Sequence, residues 1–287
     1  MNSEYGKLYI VATPIGNLGD ITIRALETLK SVDIVAAEDT RQTGKLLSHF
    51  EIKKPLISYF EHNKAQRGPV IIEKLRNGEN VALVSDAGTP GISDPGADII
   101  KLAREEGITV TMTPGPVAGI MAVVLSGLDT SRFVFEAFLP EEKKKRKEII
   151  ESLKKETRTC VFYESPHRII STLSEMEEIL GGERRMALCR ELTKVHEEID
   201  LKTIEEHVAV FREKAPRGEY VMVLEGISRE ALEEEKKAAW DDISVTEHVE
   251  KLIAEGLSKK EAIKKAALER GSSRNEIYNL YEKEKKA

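Results

Sequence analysis

Short apolar runs, each followed by a turn-rich loop and then by apolar residues at helical spacing, recur along most of this chain. That alternation limits the fold more than any single motif does. Leu8–Ala12 leads through Thr13–Asp20 into a helical pattern carried by Ala25, Leu26 and Leu29. Val32–Ala36 precedes a helix to about Phe50, Val81–Ser85 precedes one that begins after Pro95, and Thr109–Thr113 precedes one from about Pro116 to Ser126. Strands that alternate with helices predict an α/β fold whose mostly parallel sheets are covered on both faces.

The alternation restarts after Gly127-Leu128-Asp129, with strands over Phe133–Glu136, Thr159–Tyr163, Met186–Cys189 and Tyr220–Glu225 and helices over Glu141–Glu156 and Pro166–Leu180. Two α/β lobes follow from this, residues 1–118 and 119–228, and residues 229–287 form a helical tail. Within the tail, Ser244/Glu247, Ser258/Glu261 and Ser273/Glu276 have the spacing of capping boxes. Ile263, Ala266, Ala267, Ile277 and Leu280 flank a turn at Gly271, as in a helix-turn-helix. A structural or dimer-bracing three-helix bundle explains the same spacing equally well.

A length of 287 residues suits two sizeable cores and an appendage. The formal net charge of −6 argues against nucleic-acid binding by general attraction alone. It leaves room for a local basic surface such as Lys143-Lys144-Lys145-Arg146-Lys147, which in a chain this rich in charge reads first as a solvated helix face. The longest apolar runs are too short to span a bilayer, and Met1-Asn2-Ser3-Glu4 lacks the pattern of a signal peptide, which predicts an unexported, cytoplasmic chain with no membrane association. Cys160 and Cys189 lie in apolar runs without nearby Cys or His, as buried reduced thiols do, and no metal site is expected.

Ligands of parallel sheets bind beyond the carboxyl ends of the strands, so the loops there are the places to look for chemistry. The first, Thr13-Pro14-Ile15-Gly16-Asn17-Leu18-Gly19, lacks the opening glycine of a dinucleotide fingerprint although Glu38 and Asp39 lie at a suitable distance. By spacing alone it is a turn. The second, Ser85 to Gly96, holds more glycine, proline and aspartate than a turn requires. Asp94 and Pro95 read as N-cap and first helical residue, whereas Asp86, Gly88 and Thr89 are free to meet a ligand. The third, Thr113-Pro114-Gly115-Pro116, opens a helix whose first amides suit a carboxylate. In the second lobe Tyr163-Glu164-Ser165-Pro166-His167-Arg168, Arg190-Glu191-Leu192-Thr193-Lys194 and Pro216-Arg217-Gly218-Glu219 occupy similar places, with Ser165 and Pro166 again reading as cap and first helical residue. Salt bridges and packed side chains are the plain alternative for these charged groups.

Assembled, these stretches resemble the tetrapyrrole methylase superfamily, and within it the branch that methylates ribosomal RNA. The resemblance is carried by LYIVATPIGNLGD at Leu8–Asp20, AEDTR at Ala37–Arg41, SYFEHN at Ser58–Asn63, Val81–Gly96, Pro114–Pro116, Phe138–Pro140, FYESPHR at Phe162–Arg168, Arg190–Lys194 and Arg217–Gly226. The tail from about Ser244 is similar to the family's C-terminal domain. Two positions depart from the family pattern: Ala137 stands where glycine usually precedes Phe-Leu-Pro, and Gly91 replaces a bulkier residue.

The resemblance implies a class III methyltransferase fold, a homodimer, and S-adenosylmethionine held folded between the lobes. It further implies methyl transfer to the 2′-oxygen of a cytidine in the decoding region of 16S ribosomal RNA, within the small subunit. The cofactor-binding residues it implies are Pro14, Ile15, Gly16, Asp86, Gly88, Thr89, Pro116 and Val117, with Tyr163, Arg190 and Pro216 from the second lobe. A ribose hydroxyl is a weak nucleophile, so a positioned base or orienting group is expected, with Glu61, His62, Glu164 and Lys194 as unranked candidates. Arg41, His62, Arg168, Lys194 and the tail are the candidate RNA contacts.

Other readings predict different behaviour. A superfamily enzyme acting on a tetrapyrrole or a protein side chain would keep the cleft without needing SYFEHN, FYESPHR or the tail. A ligand-sensing DNA binder would bind cofactor without consuming it, and a dehydrogenase would bind a nicotinamide dinucleotide.

Overall fold

The computed structural model describes residues 5–228, 230–232, 240 and 243–285. Met1 to Glu4, on which the expectation of an unexported chain rests, lie outside the described residues. The chain divides into two compact units, one of Met1–Glu151 with Thr159–Glu225 and one of Ser152–Arg158 with Gly226–Ala287.

The larger unit contains two five-stranded sheets. The first comprises β1 (Leu8–Val11), β2 (Ile34–Ala37), β3 (Leu56–Ser58), β4 (Val81–Val84) and β5 (Val110–Thr113), in the order β3-β2-β4-β1-β5. Every pairing is parallel. Successive side chains of a strand point to opposite faces, and the two cores of this sheet divide accordingly. Leu8, Ile10, Val81 and Leu83 pack with Ile71 and Leu75 of α3 (Lys64–Arg76) and Ile99 and Ala103 of α4 (Gly96–Glu105). Val11, Val35, Ala82 and Val84 pack with Ala25 and Leu29 of α1 (Ile23–Ser31) and Leu47 of α2 (Thr40–His49). Because all five strands run the same way, the loops that follow them gather at one edge.

The second sheet comprises β6 (Phe133–Phe138), β7 (Thr159–Glu164), β8 (Arg185–Arg190), β9 (Glu198–Thr203) and β10 (Tyr220–Leu224), ordered β6-β7-β10-β8-β9. Here the expectation of parallel pairing needs correction. Only β6 and β7 are parallel, while β7, β10, β8 and β9 pair antiparallel in turn. The reason is the connection from β8 to β9, a short loop without a crossover helix, which only antiparallel neighbours permit. One face of this sheet, through Val161, Ala187, Cys189, Val221 and Val223, packs on Ala122 and Val123 of α5 (Ala118–Leu125). The unit is completed by α6 (Lys143–Ser152), α7 (Ile169–Leu180) and α8 (Ile204–Glu213). Cys160 and Cys189 are buried free thiols.

Two expected caps shift. Pro95, expected as the first helical residue, is the N-cap of α4, while Asp94 serves the helix from one position earlier by accepting the Gly96 amide at 2.7 Å. Ser165 does not cap α7: the chain makes a turn from Ser165 to Arg168, and Arg168 is the N-cap.

The smaller unit contains α9 (Val245–Ala254), α10 (Lys259–Glu269) and α11 (Arg274–Glu284). Reciprocal capping boxes form at Ser244/Glu247 and Ser258/Glu261, and Ser273 accepts the Glu276 amide. Ile263, Ala266, Ala267 and Ile277 are buried as expected, but Tyr281 fills the place anticipated for Leu280, which is exposed. The buried His248 accepts at Nδ1 from Arg270 at 3.1 Å and therefore carries its hydrogen on Nε2, which donates to Glu269 at 2.9 Å.

Candidate active site

Three loops at the carboxyl edge of the first sheet are tied to one another. Thr13 and Gly88 exchange backbone hydrogen bonds at 2.9 and 3.0 Å, and the Thr89 hydroxyl donates to the carbonyl of Pro116 at 3.0 Å. Gly88 is left-handed at φ 81°, and a Cβ there would stand 3.2 Å from the Ile15 side chain. Glycine is thus what lets the first loop lie against the second. Gly115 meets the same need, since its Cβ would come within 2.4 Å of the Ala12 Cβ.

These loops wall one side of a cavity of about 550 Å³, and loops after β6, β7, β8 and before β10 wall the other. The volume is that of a small-molecule site. Apolar and aromatic groups line it through Ile15, Val117, Phe138, Tyr163 and Leu192, with the carboxylates of Glu38, Asp86, Glu191 and Glu219 among them. Asp86 accepts the Asp39 amide at 2.9 Å, and the Asp86 amide in turn donates to Glu38 at 3.4 Å. Burial, reinforced by the negative charges of Asp86 and Asp94, holds the Glu38 carboxyl above its ordinary pKa.

After β8 the chain bends sharply around Lys194. Glu191 and Thr193 are left-handed at φ 52° and 66°. The Lys194 ammonium donates to Glu191 and to Glu219 at 2.9 Å each. Burial works against its charge, but the two carboxylates outweigh it and raise the pKa, so the group stays protonated. Its methylenes lie over the first loop, where a Cβ on Gly16 would meet Lys194 Cγ at 2.3 Å. Gly218 leaves room for Glu191 in the same way, its own Cβ being excluded at 2.6 Å.

Of the residues singled out by sequence, the structure brings Ile15, Asp86, Gly88, Thr89, Val117, Tyr163, Glu164 and Lys194 to this cavity. Gly16 and Pro116 adjoin it through the contacts above, with Lys194 and Thr89, and Pro14 precedes the lining residue Ile15 in the same loop. Glu164 is only 3% exposed, and its oxygens accept from the Ser165 amide at 2.8 Å and the Thr172 hydroxyl at 2.7 Å. Arg190 and Pro216 do not line the cavity. Arg190 instead grips Glu198 on the neighbouring edge strand, at 2.9 and 3.0 Å, beside a separate pocket of about 110 Å³.

Glu61 and His62 also lie away from the cavity lining, in the loop after the edge strand β3. Glu61 pairs with Lys64 at 2.7 Å, and the exposed His62 ring stands edge-on to Phe60. Arg41 is exposed and bonded to Asp39, whose carboxyl it holds down to about 2. Arg168 turns inward to the carbonyl of Leu139 at 2.8 Å. Glu191, Glu219 and Phe138 are among the lining groups to which the sequence assigns no role, although each stands in or beside a stretch that carries the resemblance. The signal that marks Glu191 and Glu219 is Gly218, whose missing Cβ makes room for the Glu191 carboxylate.

The family profile described as Tetrapyrrole (Corrin/Porphyrin) Methylases matches residues 7–208. A Bacillus subtilis (strain 168) protein named Ribosomal RNA small subunit methyltransferase I is 50% identical over 279 residues, covering 97% of this chain and 95% of its own length. A Thermotoga maritima protein of the same name is 50% identical over 221 residues, which span 77% of this chain and 99% of that protein. Among solved structures, that of diphthine synthase superposes with a TM-score of 0.60 at 14% identity, over 77% of this chain and 89% of the other. At that identity the likeness speaks for the fold.

Proposed function

Because the chain belongs to the tetrapyrrole methylase family, we propose that it transfers a methyl group from S-adenosylmethionine to the 2′-oxygen of a cytidine in the decoding region of 16S ribosomal RNA. The chain is a methyltransferase, as its relatives named Ribosomal RNA small subunit methyltransferase I are. The observation that carries the reading is the single cavity into which loops of both sheets converge.

The lining suits the cofactor. S-adenosylmethionine brings an adenine, ribose hydroxyls, an ammonium and a sulfonium; the cavity offers Ile15, Val117 and the Tyr163 ring for the first and carboxylates for the rest. When bound, the cofactor supplies an activated methyl group. Ile15, Val117 and Tyr163 would hold its apolar parts, and Asp86, with the backbone about Gly88, its polar ones.

The work left to the protein is to align the acceptor oxygen and to take its proton. Glu164 is occupied by partners within its own lobe, and Glu61 and His62 stand outside the cavity. Lys194 is better placed. An ammonium has three hydrogens; two are directed to Glu191 and Glu219, and the third is available to orient a ribose oxygen. Glu219, exposed and bonded to the same ammonium, is the carboxylate within reach of the leaving proton.

We place the lobes at residues 1–118 and 119–228 and the tail from 229 onward. That 77% of this chain spans nearly all of the Thermotoga relative supports assigning the chemistry to the two lobes and added grip on RNA to the tail, with exposed Arg41 and His62 as further contacts and Arg168 kept to the Leu139 carbonyl. The homodimer is supported by a large apolar surface. Ile120, Val124 and Leu125 of α5 and Phe133 and Phe135 of β6 are all at least 37% exposed, and patches of this kind mark protein interfaces. Among the described residues no helix is long and apolar enough to cross a membrane, and we take the enzyme to work in the cytoplasm.

The test is incubation of the protein and radiolabelled S-adenosylmethionine with small subunits that lack the modification, followed by mapping of the label. Label at a cytidine 2′-oxygen is the expected outcome. Cofactor binding without transfer to subunits or naked RNA would remove the RNA substrate and favour a tetrapyrrole or protein side chain instead.

A further inference from the structure

The loop from Ala137 to Pro140 carries a ring whose position packing alone does not explain. Phe138 is 53% exposed at the mouth of the cavity, where a large apolar side chain forgoes much of the gain from burial. The loop is built to keep it there. Ala137 is left-handed at φ 57° and sits where the register of β6 against β7 slips, and such bulges re-aim side chains.

The next two carbonyls are clamped, that of Leu139 by Arg168 at 2.8 Å and that of Pro140 by Arg146 at 3.0 Å. Each guanidinium is anchored in turn, Arg146 by two bonds to Glu175 at 2.7 and 2.8 Å and Arg168 by Glu164 at 3.6 Å. On its inner side the ring leans on Tyr163, with centroids 5.5 Å apart. Tyr163 is itself fixed, its hydroxyl accepting the Gly119 amide at 3.1 Å. A ring held rigid and left partly open is a surface for stacking.

We propose that Phe138 is the platform on which the base of the target nucleotide stacks, holding it so that its ribose reaches the cavity. The proposal rests on the RNA-methylating function above and names a substrate-positioning residue for it. A paired or stacked nucleotide must leave its neighbours before its ribose can enter an enclosed site, and an aromatic face replaces the stacking it gives up. The cofactor's adenine has a similar flat face, so the test separates the two.

Phe138→Ala and Phe138→Trp are compared with the unaltered full-length enzyme in two measurements. One is the dissociation constant of S-adenosylmethionine by calorimetry without RNA; the other is single-turnover transfer at saturating cofactor over a range of small-subunit concentrations. Phe138→Ala is expected to raise the half-saturating subunit concentration by about tenfold or more, the scale of one lost base–aromatic stack. It should leave cofactor affinity unchanged, and Phe138→Trp should restore subunit binding.

An equal loss of cofactor affinity in Phe138→Ala would overturn the proposal and give the ring to adenine. Unchanged subunit dependence in Phe138→Ala, or a Trp variant as weak as the Ala variant, would overturn it too. Unaltered enzyme that binds cofactor yet methylates no subunits would defeat the RNA function itself, and the platform with it.

Discussion

Glu164 stands at the cavity and belongs to the FYESPHR stretch, so a general base is the obvious role for it, yet its surroundings assign another. Its carboxylate accepts from the Ser165 amide at 2.8 Å and the Thr172 hydroxyl at 2.7 Å, and faces Arg168 Nε at 3.6 Å. The side chain is 1% exposed. Substitution by alanine strands two donors and takes the charge from opposite Arg168, and removing one partner of a buried charged pair costs about 3–5 kcal/mol. For a unit of this size that lowers the melting temperature by roughly 10 °C. Glu164→Gln keeps an acceptor for the Ser165 amide but loses the charge opposite Arg168, which costs about 1–2 kcal/mol. Calorimetry measures the stability, and single-turnover methyl transfer, normalised to folded enzyme, measures the chemistry. The Gln variant should be measurably less stable and transfer methyl within a few-fold of the unaltered rate. A Gln variant with unchanged melting temperature and transfer slowed about 100-fold or more, the range lost with a general base, would refute the structural assignment and make Glu164 the base.

Three further outcomes follow from neighbouring features. Ala137→Gly relieves a left-handed alanine at φ 57°; this strain costs about 1–2 kcal/mol and glycine returns part of it in chain entropy, so thermal unfolding should show a gain of about 0.5–1 kcal/mol. The hydrogen bonds from Arg146 hold the Glu175 carboxyl below its ordinary value of 4.5. A depressed carboxyl contributes stability above its unfolded pKa and loses it as pH falls through the folded one, so the gap in melting temperature between the unaltered protein and Glu175→Gln should be full at pH 7 and narrow below about pH 4.5. Burial pushes the Cys189 thiol up to about 12; iodoacetamide at pH 8 should leave it unmodified in the native protein and label it in denaturant, as mass spectrometry would record.

Most of the first sheet is legible because β1, β2 and β4 are buried apolar runs, each with a loop and a helix behind it. What escaped were β3 with α3 and β9 with α8. β3 spans three residues, Leu56–Ser58, all only partly buried, and α3 hides behind Pro69 inside it, a residue that usually ends a helix. β9 alternates charge with Ile199 and Leu201 at a sheet edge, too polar to register as a core strand. The capping box at Thr203 and Glu206 that starts α8 was readable and passed over. The loops of the site are legible from where strands end, in the parallel sheet and also after β7 and β8 of the mixed one. Arg190, which the resemblance implies at the cofactor, ends β8 between antiparallel neighbours and bonds Glu198 on the edge strand instead of lining the cavity.

The place of β10 in its sheet bears on how the chain is made. The first sheet has its last strand once Thr113 is synthesised, and it can close while the rest is still on the ribosome. The second cannot. Its central strand, Tyr220–Leu224, is the last of the ten to be made, so until it arrives the β6–β7 and β8–β9 pairs each expose an open edge. Such edges invite pairing with other chains. A nascent chain halted near residue 208, where the family profile ends, would hold a finished first wall of the cavity and a second in two sticky halves. Between the synthesis of β9 and that of β10, both edges that β10 later covers stand open.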